Sequence, residues 1–141
     1  MGRPSYPSGG VRDCGGEFRT ADSPWASVGL QVLQTNDFSG DRLNRPGTFV
    51  VCFSAAWCPV TRRFMPKFVA LNGKLPAILA IADITDKKDS LWDTFRIRIT
   101  PSIIVFRDGD VQLRIDGRRF FGITDSALAG LREGFPSAQT A

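Results

Sequence analysis

The chain has 141 residues, of which 43% are hydrophobic, and this is enough for one compact domain with a buried core. Eighteen basic and fourteen acidic residues give a net charge of +4, and basic and aromatic residues do not interleave, so we expect no nucleic-acid partner. The absence of histidine and the wide spacing of the three cysteines exclude the usual zinc sites, so we expect no bound metal.

The sequence also bears on where the protein acts. It has no stretch as long as a membrane span, and its first residues lack the apolar core of a signal peptide. An odd number of cysteines does not suit a disulfide scaffold and leaves at least one free thiol. We therefore expect a monomer in the reducing cytoplasm that does not associate with membranes.

Residues 1–24 are rich in Gly, Pro and Ser and have no hydrophobic period, which predicts a flexible N-terminal arm. Residues 25–135 then form one domain, and residues 136–141 form a short C-terminal tail. Cys14 lies within the arm, and two interpretations of it remain open. It is either an incidental exposed thiol or a resolving cysteine on a tether that is long enough to reach the domain.

Hydrophobic patterning predicts alternating strands and helices along the domain. The predicted elements in chain order are a strand at 28–33, a short helix from Thr35 or Asn36 to Leu43, a strand at 49–53, a helix after Cys58 to about 73, a strand at 77–83, a helix at 86–95, strands at 102–106 and 111–115, and a helix from Thr124 or Asp125 to about Gly134. The dipeptide Asp108-Gly109 predicts a tight hairpin. This order is typical of an α/β protein in which a mixed sheet of about five strands has helices on both faces.

A candidate nucleophile lies where the apolar strand at 49–53 passes into the next helix. Pro59 suits the first helical position, because its missing N–H has no partner there in any case. Cys58 is then at the helix N-terminus, where unpaired N–H groups and the helix dipole favour a thiolate. The alternative is a buried structural thiol, which is common for free cysteines.

The same stretch carries a family resemblance. Residues 57–62 read Trp-Cys-Pro-Val-Thr-Arg, and with Pro66 they resemble the active-site turn and helix of thioredoxins, whose usual motif is Trp-Cys-Gly-Pro-Cys-Lys. The segment ending at Pro101 is similar to the family's cis-proline loop, and Gly109 and Gly117 follow it at eight and sixteen residues. The resemblance covers roughly residues 28 to 135 and implies a thioredoxin-like three-layer α/β/α sandwich.

The resemblance also implies roles for individual residues. Thr61 stands where thioredoxins have their second cysteine, so it cannot release a mixed disulfide, although its hydroxyl can favour the Cys58 thiolate. Cys52 stands where the family usually has a buried aspartate, and it is interpreted either as a core residue or as a resolving cysteine. The implied binding face consists of Trp57, Cys58, Pro59, Ile99, Thr100, Pro101 and Gly117.

Three functions remain open at this point. The first is a thioredoxin-like oxidoreductase that exchanges protein or peptide thiols and disulfides through Cys58, without a bound cofactor and with an external thiol such as glutathione as resolver. The second is a non-catalytic module that binds a protein or peptide at the face of Trp57, Cys58 and Pro101. The third is a sensor that pairs Cys58 with Cys14 or Cys52 on oxidation.

Overall fold

The computed structural model of the protein describes residues 23–119 and 121–133. The predicted arm, apart from its last two residues, lies outside this part of the chain, as do Cys14 and the predicted tail at 136–141. Within the described residues, no helix combines the length and the apolar character that crossing a bilayer requires.

Ten regular elements follow one another along the described chain. In chain order they are β1 (Gln31–Leu33), β2 (Phe38–Ser39), β3 (Arg42–Leu43), β4 (Thr48–Ser54), α1 (Pro59–Val69), β5 (Ile78–Asp83), α2 (Leu91–Thr94), β6 (Ser102–Arg107), β7 (Asp110–Ile115) and α3 (Asp125–Glu133). Short 3-10 turns also occur at Ala26–Val28 and Thr35–Asp37.

Five of the strands form one mixed sheet in the order β1-β5-β4-β6-β7. The central strand β4 pairs in parallel with β5 and antiparallel with β6, and all of its residues after Thr48 are buried. Its run of apolar and β-branched residues suits this position, because a strand covered on both faces needs apolar side chains in both directions. The predicted hairpin joins β6 to β7, with Asp108 and Gly109 both at positive φ.

Two hydrophobic cores lie on opposite faces of this sheet. On one face α1 and α3 pack against the alternate strand residues that include Val50, Cys52 and Ile81. On the other face α2 and the β2–β3 hairpin cover the intervening residues, which include Val51 and Phe53. The predicted α/β/α sandwich with helices on both faces is therefore confirmed.

The helix predicted from Thr35 to Leu43 is wrong. The chain forms a 3-10 turn at Thr35–Asp37 and then the small antiparallel hairpin of β2 and β3. Gly40 lies at φ 58° within that hairpin, a conformation that interrupts a right-handed helix. Because Phe38 and Leu43 face each other across the hairpin, both side chains enter the same core, which outweighs the weak local preference for a helix.

The helix predicted over 86–95 is much shorter, since α2 spans only Leu91–Thr94. The carboxylate of Asp86 accepts a hydrogen bond from the N–H of Lys88, and that of Asp89 accepts one from the N–H of Leu91. Such local side-chain turns satisfy the backbone in a non-helical conformation, and they therefore compete with the first turns of a helix.

The N-terminal end of the described chain is tied into the domain. The hydroxyl of Ser23 donates a hydrogen bond of 2.5 Å to the carboxylate of Asp83, and both residues are buried. Trp25 is also buried and belongs to the core beneath α1 and α3. Ser23, which was expected to belong to the flexible arm, is thus part of the packed domain.

Candidate active site

The candidate nucleophile lies just beyond the C-terminal end of the central strand β4. The last residue of β4 is Ser54, and the turn that follows closes with a hydrogen bond of 3.1 Å from the N–H of Cys58 to the carbonyl of Ala55. Cys58 is the N-cap of α1 and Pro59 is its first residue. Because Pro59 is pre-set for the helix and needs no hydrogen-bond acceptor, the helix begins at this point and leaves the cysteine at its N-terminus.

The thiol of Cys58 is partly exposed and has an acidifying environment. Burial raises its pKa, but contacts with the side chain of Thr100, the hydroxyl of Thr61 and the N–H groups of Thr61 and Val60 outweigh this, so the pKa lies below its ordinary value. The sulfur also lies 3.6 Å from the carbonyl oxygen of Thr100, which accepts the thiol proton in the neutral form. The site thus favours a reactive thiolate.

Thr61 is fully buried on the first turn of α1. Its hydroxyl oxygen forms no hydrogen bond of normal geometry with any of the described residues. The hydroxyl proton is therefore available to the Cys58 sulfur once that sulfur is ionised, which agrees with its lowering effect on the pKa of Cys58.

Trp57 forms an exposed wall next to the cysteine, with 45% of its surface accessible. Its indole N–H donates to the carbonyl of Thr85 at 2.8 Å, and its ring stacks on Trp92 with a centroid distance of 6.1 Å. The ammonium of Lys87 lies 4.8 Å from the Trp57 ring centre. These contacts hold the indole in one orientation.

The turn before Cys58 is also anchored from below. The hydroxyl of Thr85 accepts the N–H of Ala56 at 3.0 Å and donates to the carboxylate of Asp83 at 2.6 Å. Asp83 in turn accepts the hydroxyl of Ser23. The sequence does not identify Thr85 as part of the site, because only the fold brings the residue after β5 next to this turn.

The second half of the site is the loop before β6. The Thr100–Pro101 peptide bond is cis, and this loop brings the Thr100 carbonyl to the Cys58 sulfur. The hydroxyl of Ser102 donates to the carbonyl of Ile99 at 2.7 Å and fixes the loop from within the sheet. Trp57, Cys58, Pro59 and Thr61 are thus brought together with Ile99, Thr100 and Pro101.

Two glycines allow the next loop to approach this one. A side chain at Gly117 would come within 2.2 Å of the Pro101 carbonyl oxygen, so only glycine fits there. Gly117 is itself buried and supports the Pro101 loop from behind. Gly122, which the sequence analysis did not single out, lies at φ 67°, and a Cβ there would be 2.8 Å from the Val60 side chain.

Cys52 forms no disulfide with Cys58 in this structure. Cys52 is fully buried within β4, and this burial raises the pKa of its thiol to about 12, an effect only partly offset by the Ser54 hydroxyl. Such a thiol stays protonated and inert, as its interpretation as a core residue requires. Cys14 lies outside the described residues.

Comparisons with known proteins agree with this arrangement. The profile of the family described as Thioredoxin matches residues 29–125. Thioredoxin H1 of Arabidopsis thaliana is 26% identical over 93 residues, which are 65% of this chain and 82% of that protein. Protein disulfide-isomerase A3 of Gallus gallus is 28% identical over 88 residues, which are 62% of this chain but only 17% of that longer protein.

Solved structures show the same fold. Thioredoxin f2 of Chlamydomonas reinhardtii superimposes with a TM-score of 0.61 at 19% sequence identity, covering 77% of this chain and 98% of that one. With a family profile that spans more than half of its length, this chain belongs to the thioredoxin family.

Proposed function

We propose that the protein exchanges thiols and disulfides of protein or peptide partners through one nucleophilic cysteine, Cys58, with a small external thiol as resolver. The single observation that carries the proposal is the environment of Cys58, whose pKa is lowered at the N-terminus of α1 by contacts with Thr61, Val60 and Thr100. Membership of the thioredoxin family and the similarity to a protein named as a disulfide isomerase support this type of chemistry.

The reaction proceeds by three exchange steps. The Cys58 thiolate attacks one sulfur of the partner's disulfide, forming a mixed disulfide and expelling the other sulfur as a thiolate. A second thiolate, from a small monothiol such as glutathione, then attacks the partner's sulfur in the mixed disulfide. Cys58 leaves as the thiolate, and the partner carries the monothiol in a new disulfide. A second monothiol attacks the monothiol sulfur of that disulfide, so the partner ends with two thiols and the two monothiols leave joined as a disulfide. No electrons are gained or lost by Cys58 over the cycle.

The resolving thiol has to come from outside because Thr61 cannot supply it. A hydroxyl three residues from the nucleophile favours its thiolate but cannot attack a disulfide. Cys52 remains a candidate resolver only if the core opens, since its thiol is fully buried and its pKa is about 12. Cys14 remains a second candidate resolver, and it lies outside the described residues.

The partner binds across Trp57, Cys58, Pro59 and the loop of Ile99, Thr100 and Pro101. The exposed indole of Trp57 offers apolar surface on one side of the sulfur, and the Thr100 backbone lies on the other. An extended peptide can pair with that backbone as an added strand. We propose further that the protein acts as a cytoplasmic monomer and needs no bound cofactor.

One observation favours a second function, that of a non-catalytic binding module. The position that resolves mixed disulfides in dithiol thioredoxins holds a buried threonine, and the residue beneath it, Cys52, is not an acid. Loss of both groups fits a protein that kept the groove around Trp57 and Pro101 and gave up turnover.

The rate of alkylation of Cys58 against pH separates the two functions. Catalysis requires a thiolate that titrates well below a free cysteine, measured in a Cys14→Ala/Cys52→Ala background so that one thiol reports, with Cys58→Ser as the blank. Disulfide reduction should be weak without a monothiol and should rise when glutathione and its reductase are added. An unreactive Cys58, or equal turnover with and without the monothiol, would contradict the proposal.

A further inference from the structure

A groove lies along one face of α1, beginning at Val60, two residues after Cys58, and the chemistry proposed above does not use it. Its walls are formed by the side chains of Val60, Arg63, Phe64, Lys67, Phe121 and Ile123, and we call it the Phe121 groove. On α1 these residues have the spacing i, i+3, i+4 and i+7, so they form one face of the helix. The opposite wall comes from Phe121 and Ile123.

The residues before Phe121 form a tight turn through their own hydrogen bonds, and Gly122 packs against the helix. The N–H groups of Phe121 and Gly122 both donate to the carbonyl of Arg118, and the N–H of Arg118 donates to the carbonyl of Gly122 at 2.8 Å. Gly122 approaches Val60 so closely that a Cβ would overlap the valine methyl group. Phe121 is nevertheless 76% exposed, the largest accessible fraction of any large apolar residue in the described chain.

The position and size of the groove suit a segment of the disulfide partner next to its cysteine. The N–H of Val60 contacts the Cys58 sulfur, and the side chain of Val60 begins the groove. From Val60 to Lys67 the helix rises about 10 Å, which an extended peptide spans in about three residues. The volume of about 110 Å³ takes one aliphatic side chain, since benzene fits a cavity of about 150 Å³.

The charge around the groove determines the type of segment. Lys67 lines it, and Arg118 and Arg119 are exposed three and two residues before Phe121. Lys67 forms an ion pair of 3.1 Å with Asp125, but both side chains are well exposed, so this pair is weak and exchangeable. The groove therefore combines an accessible aromatic ring with an excess of positive charge.

We propose that the Phe121 groove binds an acidic segment of the protein disulfide partner, with one aliphatic side chain against Phe121 and carboxylates beside Lys67, Arg118 and Arg119. The proposal rests on the proposed function for the identity of the partner, and it adds a substrate preference to it. Cys58 would then act preferentially on disulfides that have acidic and aliphatic residues within about five positions of the reacting cysteine.

The test uses the full chain and two fluorescent peptides of equal length. Each contains one leucine and a serine in place of the reacting cysteine, and the flanking residues are glutamates in one peptide and lysines in the other. We expect the acidic peptide to bind about tenfold more tightly than the basic one at low salt. Phe121→Ser should weaken its binding about tenfold, and Lys67→Glu should remove or reverse the preference between the peptides.

Matched controls change the same residue types elsewhere. Val111→Ser removes an exposed apolar side chain from the edge strand β7, and Lys74→Glu reverses a charge beyond the end of α1. Both should keep the binding of each peptide within about twofold of the unmodified chain. Equal binding of the two peptides, or effects of the groove variants no larger than those of these controls, would refute the proposal.

A second readout separates this proposal from the function on which it rests. Exchange of the unmodified chain with a small neutral disulfide, hydroxyethyl disulfide, reports the chemistry of Cys58 without engaging the charged groove. If this exchange is absent while the acidic peptide binds as expected, the proposed catalysis fails and the groove stands. If the exchange occurs while the peptides bind equally, the groove fails and the catalysis stands.

Discussion

Cys58 and Thr61 lie at the first turn of the same helix, but only Cys58 has a thiol that can take part in thiol–disulfide exchange. Cys58 keeps what a nucleophile needs, namely partial exposure, a helix N-terminus and contacts that lower its pKa. Thr61 keeps only the polar contact to that sulfur and has no thiol to complete a cycle. The direction of the pKa shift at Cys58 therefore depends in part on a hydroxyl that has no other hydrogen-bond partner among the described residues.

Replacing Thr61 with valine tests that contact directly. The Thr61→Val variant loses a donor that favours the thiolate, so the pKa of Cys58 should rise, and the midpoint of alkylation against pH should move to higher pH. With Cys58 protonated, thermodynamic stability should stay the same or increase by about 1 kcal/mol, because the buried hydroxyl that is removed has no partner other than the ionised sulfur. Thr61→Ser keeps the hydroxyl and should leave the midpoint near its original value, whereas a midpoint unmoved by valine would show that the contact is irrelevant.

Replacing Thr61 with cysteine tests whether only the second sulfur is missing. The Thr61→Cys variant places two thiols on one helical turn, within reach of a disulfide, so part of the dithiol exchange should be restored. Restoration should be incomplete, because no buried acid lies at position 52 to assist the new thiol. The assay is reduction of a protein disulfide such as insulin at fixed pH, with no added monothiol and with folding checked for each form.

A double variant tests whether a buried acid at position 52 is missing as well. Adding Cys52→Asp to Thr61→Cys should raise turnover above that of the single variant, at a stability cost of about 1–3 kcal/mol for a carboxyl group buried in the core. If both variants fold but their disulfide reduction stays at background, the binding face around Trp57 and Pro101 has itself diverged. The binding-module function would then take precedence.

At the scale of elements, the loop that carries Gly122 depends on its close approach to α1. Gly122→Ala should reduce the free energy of unfolding by about 1–3 kcal/mol, because alanine disfavours a φ of 67° and its Cβ would overlap the Val60 side chain. Gly130→Ala is the matched control, since Gly130 lies in α3 with open space around its Cα. It should raise stability by about 0.5–1 kcal/mol. Chemical denaturation of both variants checks the opposite signs, and a tolerated alanine at Gly122 would show that the loop is free to move.

The elements that could be predicted from sequence are those with one dominant signal. The strands β4 and β5 have continuous apolar runs, and the hairpin after β6 has Asp108-Gly109 at its turn. By contrast, the stretch from Thr35 to Leu43 offers a helix cap, but the spacing of Phe38 and Leu43 does not follow a helical period. Their packing against the aromatic core stabilises the hairpin instead. The shortening of α2 depends on two aspartate side chains whose hydrogen bonds local propensity does not reveal.

The candidate site was predictable to the extent that sequence-local features define it. Cys58 is followed by a proline at a helix start, and the Thr100–Pro101 segment has a recognisable resemblance, so both halves of the site could be named in advance. The Phe121 groove could not, because it requires Phe121 and Gly122, which lie 52 and 53 residues after the end of α1, to pack against that helix. The same applies to Thr85, which joins the turn before Cys58 to the buried Asp83.

Across the whole domain, the first described residue, Ser23, is bonded to the sheet beneath the candidate active site. Ser23 and Asp83 are sixty residues apart in sequence, and their hydrogen bond is buried. Through Asp83 and Thr85 this contact continues to the N–H of Ala56, two residues before the nucleophile. The start of the packed domain and the geometry of the reactive turn are therefore part of one hydrogen-bond network.

Removing the Ser23 hydroxyl should consequently cost more than an ordinary surface change. Ser23→Ala leaves one oxygen of the buried Asp83 carboxylate without its donor, so the free energy of unfolding should fall by about 1–3 kcal/mol. Thr35→Ala removes the same kind of hydroxyl–carboxylate bond, to Asp89, at an exposed position, and it should change stability by no more than about 0.5 kcal/mol. Denaturant unfolding measures both stability changes. The rate of Cys58 alkylation should change only in the Ser23 variant, because only the Ser23 bond belongs to the network below the turn before Cys58. Equal, small effects of the two substitutions would instead place Ser23 outside the cooperative domain.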